Sequence, residues 1–254
     1  MSTELIVRAA VAPVNAEPRA GSEQVSQALA GHRVALLAED GPWRRVRTRD
    51  GYEGWVHGGY LLAASPKDLA SRYATGRISL GCTVCEIDGG RRALPLGAIV
   101  ADDAFVESGA AVSPTERAER FPADGAAIAR SAQQLFEGAP YQWGGITPWG
   151  ADCSGLVQSV FALHGIALPR DAHQQADAGV PVEGGVGALV PADLLFFSER
   201  PEGRISHVGI AVDAHRMVHL ALGRGGYAVD RVDGGGDDYA RSLAERFRFA
   251  RRVV

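Results

Sequence analysis

The strongest constraint on the fold is a change of pattern near residue 112. Before it, apolar and polar residues alternate in short runs, separated by turn dipeptides such as Asp40-Gly41 and Asp50-Gly51. Alternation with a period of two and such turns are typical of antiparallel hairpins. After a polar, proline-containing linker at 112–123, helical patterns come first and strand-like runs follow. This order predicts an α+β domain behind an all-β region.

The all-β region has two segments. Residues 1–65 predict a small, strongly bent β-barrel, with a generic β meander as the alternative. The second segment, 66–118, has its clearest strands at 78–87 and 98–105, joined through Asp88-Gly89-Gly90. We expect the two segments to be diverged copies of one module.

Residues 119–254 form the predicted α+β domain. One helix is expected to open at Pro122-Ala123-Asp124 and to end at Glu137-Gly138, and a second runs from Cys153 to about His164. The expected strands follow them at 193–197, 208–212, 217–220 and 227–229.

Cys153 is the first candidate for chemistry. It follows a turn rich in glycine, proline and tryptophan and precedes an amphipathic run, so it is expected at a helix N-terminus. The dipole and the unpaired N–H groups there favour the thiolate. His207 and His219 lie in apolar, β-rich segments, where a rigid sheet can aim an imidazole at the sulfur. The three residues predict Cys/His acyl transfer, most simply hydrolysis of an amide. The alternative to a catalytic role is structural: Cys153 would be a small buried apolar residue, and His219 would be a histidine that only packs in the core.

Composition argues against several classes of function. The 254 residues carry a net charge of −4 with scattered Lys and Arg, which predicts no nucleic-acid partner. No stretch approaches the roughly 20 apolar residues of a membrane span. The N-terminus lacks the basic and apolar regions of a secretory signal.

Cysteine usage bears on location and on metal binding. Three cysteines do not suggest a disulfide framework, so we expect a reducing, cytoplasmic location. Cys82-Thr83-Val84-Cys85 has no second pair of the kind that a zinc site needs, and its thiols are expected to be strand residues. The cysteine spacing therefore predicts no metal site, and the leading hypothesis given below needs no metal or organic cofactor.

Five blocks in the C-terminal part together resemble one family. They are Tyr141-Gln142-Trp143-Gly144-Gly145, Asp152-Cys153-Ser154-Gly155, Pro169-Arg170-Asp171, Ser206-His207-Val208-Gly209 and His219. Their order over 125–254 resembles that of the NlpC/P60 cysteine peptidases, papain-like enzymes that cut bacterial cell-wall peptides. Segments 21–27 and 51–56 are similar to a bacterial SH3 domain. Two such domains ahead of a peptidase resemble the γ-D-glutamyl-L-diamino acid endopeptidases that recycle murein peptides in the cytosol.

The resemblance implies a role for each catalytic candidate. Cys153 would be the nucleophile, His207 the general base, and His219 the residue that orients His207. Tyr141 would lie over the nucleophile and help to stabilise the oxyanion. Trp143 flanks the nucleophile, and it either lines the cleft or packs structurally.

The resemblance also implies a site for a free L-Ala amine. Asp152, Ser154 and Asp171 would hold the ammonium, which needs anionic partners in a partly dry cleft. Glu23 and Tyr52 of the first SH3 domain would wall off that end of the cleft. For Asp152, capping of the helix is the structural reading, and capping does not exclude amine binding.

The chain departs from the family pattern before the Leu-rich strand. Ala192-Asp193 stands there instead of Gly-Asp, which should alter only a turn. The leading hypothesis is a cytosolic endopeptidase for free peptides such as L-Ala-γ-D-Glu-diaminopimelate. A secreted wall hydrolase with wall-binding SH3 modules and a non-catalytic protein with a dead peptidase fold are the alternatives. The missing signal sequence argues against the first alternative, and the intact Cys153, His207 and His219 argue against the second.

Overall fold

The computed structural model describes residues 3–63, 72–86 and 89–254. The chain divides into two compact units, Met1–Glu119 and Arg120–Val254. None of the helices in the described ranges is long and apolar enough to cross a membrane.

A seven-stranded antiparallel sheet occupies the first part of the N-terminal unit. Its spatial order is β3-β2-β6-β5-β4-β1-β7. The strands are β1 (Glu4–Val7), β2 (Val11–Asn15), β3 (Gln24–Leu29), β4 (Arg33–Asp40), β5 (Trp43–Arg47), β6 (Glu53–His57) and β7 (Leu61–Ala63). Gly41 and Gly51 have φ of 52° and 85° in the turns that follow β4 and β5, which confirms both predicted hairpins. Valines from five strands fill the core, among them Val7, Val14, Val34, Val46 and Val56.

A three-stranded antiparallel sheet follows, in the order β10-β8-β9. Its strands are β8 (Ile78–Cys85), β9 (Arg91–Ile99) and β10 (Phe105–Val112). The strand expected at 78–87 is confirmed as far as Cys85, whereas residues 87 and 88 of the predicted connection lie outside the described residues. That this sheet belongs to a second SH3-like domain stays a prediction.

The strand predicted at 98–105 is wrong. β9 ends at Ile99 and β10 begins at Phe105, and the chain turns between them. The intervening apolar side chains are buried, but Val100 donates its amide to Arg77, and the Asp102 carboxylate accepts the Thr75 amide at 3.0 Å. These residues are apolar because they are buried, but they do not form the hydrogen bonds of a β-ladder.

The linker predicted at 112–123 contains a helix, α1 (Pro114–Arg120). Ser113 Oγ accepts the Glu116 amide at 3.2 Å, and the Glu116 carboxylate accepts the Ser113 amide at 2.7 Å. This reciprocal pair is a capping box, and proline at the first helical position suits the start of a helix. Both signals are present in the sequence, so this linker prediction is corrected.

Four further helices belong to the C-terminal unit. They are α2 (Gly125–Phe136), α3 (Cys153–Leu163), α4 (Ala172–Gln175) and α5 (Asp238–Glu245). The positions of α2 and α3 confirm the two predicted helices. Asp124 caps α2 by accepting the Ala127 amide at 2.9 Å. Nine of the eleven residues of α3 are buried, so this helix lies inside the unit rather than on its surface.

A six-stranded antiparallel sheet completes the C-terminal unit, in the order β13-β18-β14-β15-β16-β17. Its strands are β13 (Val180–Pro181), β14 (Leu194–Phe197), β15 (His207–Ala211), β16 (Arg216–Ala221), β17 (Gly226–Arg231) and β18 (Phe247–Arg252), and a separate hairpin joins β11 (Ile146–Thr147) to β12 (Gly150–Ala151). The four predicted strands are confirmed as β14 to β17. Sequence analysis missed α5 and β18, although β18 pairs with β14 in the middle of the sheet.

Ala192 occupies the turn before β14. Its φ is 73°, and it is the non-glycine residue with positive φ among the described residues. The left-handed region costs an L-residue about 1–2 kcal/mol. The departure from the family's Gly-Asp therefore falls on a turn, as predicted, and introduces backbone strain there.

Candidate active site

Cys153 is the first residue of α3, and glycines allow the helix to begin where it does. A Cβ on Gly155 would overlap the carbonyl oxygen of Gly145, and a Cβ on Gly145 would overlap that of Gly150. The start of the helix therefore packs directly against the backbone of the preceding loop. This close packing fixes the direction in which α3 leaves the loop.

The Cys153 sulfur lies beside β15. It accepts hydrogen bonds from the backbone N–H groups of Val208 and Ser154, and the residue is 8% exposed. Val208 directly follows His207. The fold thus brings the predicted nucleophile and the predicted base to one place although 54 positions separate them in the sequence.

His207 and His219 lie on one face of the sheet. Ile210 of β15 stands opposite Val218 of β16, so His207 and His219 both fall on the opposite face. His207 Nε2 lies 2.8 Å from His219 Nδ1, and the rings meet edge to face. His219 is completely buried, which fixes its ring in this position.

Burial favours the neutral forms of the catalytic candidates. It raises the pKa of the Cys153 thiol to about 12, and the negative charge of Asp152 adds to this. Burial also lowers the pKa of His207 well below 6.5, with further contributions from His219 and Arg246. The helix N-terminus alone predicted a thiolate, but loss of solvation outweighs it.

Cys153 and His207 can nevertheless become charged together. The Cys153 sulfur accepts from the amide of Val208, the residue after His207, so a proton that moves from the sulfur to the imidazole creates two opposite charges within the same site, with no change in net charge. Each charge then replaces part of the solvation that the other has lost. The geometry therefore favours thiol attack coupled to proton transfer.

Asp152 forms the centre of a buried polar cluster. Its carboxylate accepts five hydrogen bonds, from the Gly144 and Gly155 amides, the Ser154 hydroxyl and two guanidinium nitrogens of Arg170. The Arg170 distances are 2.7 and 3.0 Å, and the two residues are 2% and 6% exposed. Asp152 thus caps α3, as its structural reading predicted. Its contact with a substrate amine stays a prediction, and this pairing argues against it.

Ser154 and Asp171 differ in their surroundings. Ser154 is buried, and its hydroxyl also accepts a hydrogen bond from Arg170 at 2.9 Å. Asp171 is half-buried and immediately precedes α4. The roles of both residues toward a substrate amine stay predictions.

Tyr141 and Trp143 lie in the loop that leads to Cys153. The Tyr141 amide donates to the Gly225 carbonyl at 3.0 Å, which ties the loop to the sheet. Burial raises the pKa of the Tyr141 phenol, and the negative charges of Cys153 and Asp152 add to this, so the phenol keeps its proton. A protonated phenol near the sulfur can donate to an oxyanion. Trp143 is 59% exposed.

Glu23 and Tyr52 belong to the N-terminal unit. Glu23 is exposed just before β3, and Tyr52 is half-buried just before β6. Their contribution to a cleft stays a prediction. Over the described ranges, no group of three or more His, Cys, Asp and Glu side chains is placed to hold a metal ion. Cys82 and Cys85 are residues of β8.

Sequence analysis missed two residues of this site. Arg170 lies in the Pro169-Arg170-Asp171 block, but the sequence pattern predicts no role for it. Asp230 accepts a hydrogen bond from His219 Nε2 at 3.0 Å, and the sequence analysis does not predict it. The sequence feature that could have indicated this residue is a carboxylate directly after the predicted strand at 227–229.

Similarities to known proteins agree with this geometry. Residues 138–240 match the model of the NlpC/P60 family, and residues 5–61 match that of the bacterial SH3 domain. The chain is 31% identical over 217 residues to the gamma-D-glutamyl-L-lysine dipeptidyl-peptidase of Bacillus subtilis (strain 168), which covers 76% of this chain and 71% of the relative. It is 48% identical over 84 residues to the bifunctional muramidase/DL-endopeptidase CwlT of the same organism, but this covers 32% of this chain and 25% of that protein.

Solved structures share the fold. A crystal structure of an NlpC/P60 family protein from Bacillus cereus ATCC 10987 superposes with a TM-score of 0.78 at 17% identity, over 99% of both chains. An NlpC/P60 endopeptidase from Photobacterium damselae subsp. piscicida gives 0.69 at 16% identity, over 98% of this chain and 70% of that one. Together with the match to the Bacillus subtilis relative, these findings establish that the chain belongs to the NlpC/P60 family of peptidases and carries a bacterial SH3 domain.

Proposed function

We propose that the protein is a cysteine endopeptidase that hydrolyses the γ-D-Glu–L-diamino acid bond of free murein peptides with an unblocked N-terminal L-Ala. The observation that carries this proposal is the placement of Cys153 at the start of α3. Its sulfur accepts a hydrogen bond from the backbone amide of Val208, the residue after His207. The name of the Bacillus subtilis relative supports two parts of the proposal. It names the bond after γ-D-glutamate, and a dipeptidyl-peptidase releases two residues from a free N-terminus.

The proposed reaction uses His207 twice. The Cys153 thiol gives its proton to the imidazole while the sulfur attacks the carbonyl carbon of the γ-amide. The amides at the start of α3 and the Tyr141 phenol donate to the oxyanion, and each donor contributes on the order of 3 kcal/mol. The imidazolium then protonates the leaving amine, which leaves a thioester. Water, deprotonated by His207, hydrolyses the thioester and restores the thiol.

Charge in the C-terminal unit supports Asp171 as the partner of the substrate ammonium. Arg170 neutralises Asp152 through two hydrogen bonds, so the pair carries no net charge. Asp171 adds a second carboxylate to the surroundings of the same guanidinium, so Asp152, Arg170 and Asp171 together carry a net negative charge that can attract a cation. In this proposal, Glu23 and Tyr52 serve to exclude peptides that carry a sugar on their N-terminus. Such an enzyme would act on released peptides in the cytoplasm, with no metal or organic cofactor.

Three substrates test the proposal. Purified protein is incubated with L-Ala-γ-D-Glu-diaminopimelate, with the same peptide N-acetylated, and with intact sacculi, beside a Cys153→Ala variant. We expect cleavage of the free tripeptide alone and no cleavage by the variant. Release of fragments from sacculi would instead favour a wall hydrolase, and an absence of cleavage with binding to sacculi would favour a non-catalytic protein.

A pair of matched variants tests the amine site. Asp171→Asn should raise KM for the free tripeptide about 10- to 100-fold, because it removes a charge-assisted hydrogen bond. Asp177→Asn removes an equal charge from an exposed residue six positions away and should leave KM within about twofold. Equal values for the two variants would refute the assignment of Asp171.

A further inference from the structure

A chain of hydrogen bonds continues from His207 beyond His219. His207 Nε2 lies 2.8 Å from His219 Nδ1, and His219 Nε2 lies 3.0 Å from Asp230 Oδ2. His219 is fully buried and Asp230 is 8% exposed. The path therefore leads from the catalytic candidates into the interior of the sheet.

The register of the sheet brings these side chains together. Asp230 of β17 stands opposite Met217 of β16, and His219 is two residues beyond Met217. Asp230 and His219 therefore share a face as diagonal neighbours. This is the face that also carries His207, so the three polar groups align across three adjacent strands.

Arg224 holds Asp230 in its charged form. Its guanidinium donates to both carboxylate oxygens, at 2.6 and 2.9 Å, and it also donates to both oxygens of Asp237. The ring of Tyr239 lies 4.4 Å from the guanidinium carbon. Burial would raise the pKa of the Asp230 carboxyl, but the hydrogen bonds from His219 and Arg224 outweigh it and lower the pKa. Asp230 is thus an acceptor and not a donor.

An acceptor at this position determines where the protons lie on both histidines. A carboxylate can only accept, so His219 must carry its proton on Nε2 and leave Nδ1 as an acceptor. His207 must then donate from Nε2, which leaves Nδ1 of His207 unprotonated. An unprotonated Nδ1 is the form that can take the thiol proton.

We infer that Asp230 is a positioning residue for the Cys153–His207 pair, setting the tautomer of His219 and, through it, that of His207. This inference rests on the catalytic roles proposed above. When the thiol proton moves to His207 Nδ1, the imidazolium keeps its Nε2–H bond to His219, and the negative charge of Asp230 stabilises the positive charge through the intervening ring. The proton on His219 stays on Nε2 throughout.

The tautomers are measurable in the unmodified protein. Two-bond ¹H–¹⁵N correlations in protein labelled with ¹⁵N-histidine distinguish Nδ1–H from Nε2–H, and a His219→Asn sample assigns the His219 signals. We expect both His207 and His219 to carry their proton on Nε2 at neutral pH. A proton on His219 Nδ1 would overturn the inference whether or not any variant folds.

Paired variants test the consequence for activity. Asp230→Asn keeps the shape but offers an amide that can donate to His219, and we expect kcat/KM for the free tripeptide to fall about 10- to 100-fold. Asp237→Asn removes an equal charge from the same guanidinium without touching His219, and its amide oxygen can still cap α5. This control should stay within about twofold of the unmodified protein.

A double substitution shows whether the effect passes through His219. His219→Asn puts a carbonyl oxygen near the position of Nδ1, and this oxygen accepts from His207 without help from a carboxylate. In that background, Asp230→Asn should cost less than about twofold further. An equal cost in both backgrounds would mean that Asp230 acts by some other route.

Alkylation of Cys153 by iodoacetamide supplies a readout that needs no substrate. The charged and titratable groups acting on His207 are His219 and Arg246, and both side chains are retained in the aspartate variants. Asp230→Asn should lower the rate at neutral pH several-fold, because the thiolate there requires the imidazolium. The limit at high pH, where the thiolate forms alone, should not change. Failure of the unmodified protein to cleave peptides would refute the proposed function but leave this alkylation test valid. Identical alkylation profiles for Asp230→Asn and Asp237→Asn would refute only the positioning role of Asp230.

Discussion

Removal of the Arg170 guanidinium should destabilise the C-terminal unit more than any exposed ion pair can. Arg170→Met keeps much of the side-chain volume but removes both nitrogens that bind Asp152, together with the bond to the Ser154 hydroxyl. Asp152 would keep its bonds to the Gly144 and Gly155 amides. Its carboxylate would then lie buried without a cation.

The magnitude follows from burial. Breaking a buried, hydrogen-bonded ion pair by removing one partner costs about 3–5 kcal/mol, because an uncompensated charge remains. An exposed pair contributes about 0.2–1 kcal/mol. Arg216 and Asp213 form such a pair, in which two guanidinium nitrogens donate to one carboxylate oxygen at 2.7 and 2.8 Å, and their side chains are 53% and 39% exposed. Arg216→Met is therefore a control that differs mainly in burial.

The assay is urea titration read by hydrogen exchange of peptides from α3. This readout assigns the free energy of unfolding to the C-terminal unit, in a chain where the two units need not unfold together. We expect a loss of about 3–5 kcal/mol for Arg170→Met and of at most about 1 kcal/mol for Arg216→Met. A double variant with Asp152→Asn should recover part of the Arg170→Met loss, because the buried charge is gone and the amide can still cap α3.

Two results would refute this reasoning. Equal losses for Arg170→Met and Arg216→Met would mean that the buried charge of Asp152 is not the source of the cost. Additive losses for Arg170→Met and Asp152→Asn would mean that the two side chains are not coupled.

Three further predictions concern catalysis and packing. The acid limb of kcat/KM should have its midpoint below pH 6.5, because burial lowers the pKa of His207, and a midpoint at or above 6.5 in a steady-state pH profile would contradict this. If an ammonium is recognised, kcat/KM for the free tripeptide should fall above about pH 8, where an α-amino group loses its proton, while alkylation of Cys153 shows no such fall. Gly155→Ala should destabilise the protein by about 1–3 kcal/mol in urea titrations, because the added Cβ would overlap the Gly145 carbonyl oxygen. Helix propensity alone predicts the opposite, a stabilisation of about 1 kcal/mol by alanine relative to glycine.

The sequence predicted those elements whose signals are local. The hairpin turns, the cap at Asp124 and the apolar run of α3 each depend on neighbouring residues, and the structure confirms them. The prediction of one strand over 98–105 is wrong because the buried residues between β9 and β10 do not pair with another strand. β18 was missed although it alternates, and Arg252 in that strand binds Asp193 at 2.7 and 2.8 Å, a partner 59 positions away.

The site was predictable to the extent that side chains reveal reactivity. A cysteine at a helix start and two histidines in strands indicated the nucleophile and its base without coordinates. The charge state was not predictable, because loss of solvation depends on how deeply the fold buries Cys153 and His207. A helix N-terminus favours an anion, but that effect is worth at most about 2 kcal/mol and cannot offset a buried thiol's loss of water.

The carboxylates show why charge in a sequence does not fix function. The sequence predicts that Asp152 and Asp171 bind a substrate ammonium, and it predicts no role for Asp230. Folding pairs two of these carboxylates with different cations. Arg170 binds Asp152, and Arg224 binds Asp230, which also accepts a hydrogen bond from His219. The first pair neutralises the base of α3, and the second keeps an anion behind the imidazole that must become positive. An anion next to Cys153 opposes formation of the thiolate, and Arg170 offsets part of this effect of Asp152 on the thiol pKa. An anion behind His207 favours the imidazolium, so the two carboxylates act in opposite directions on the proposed proton transfer.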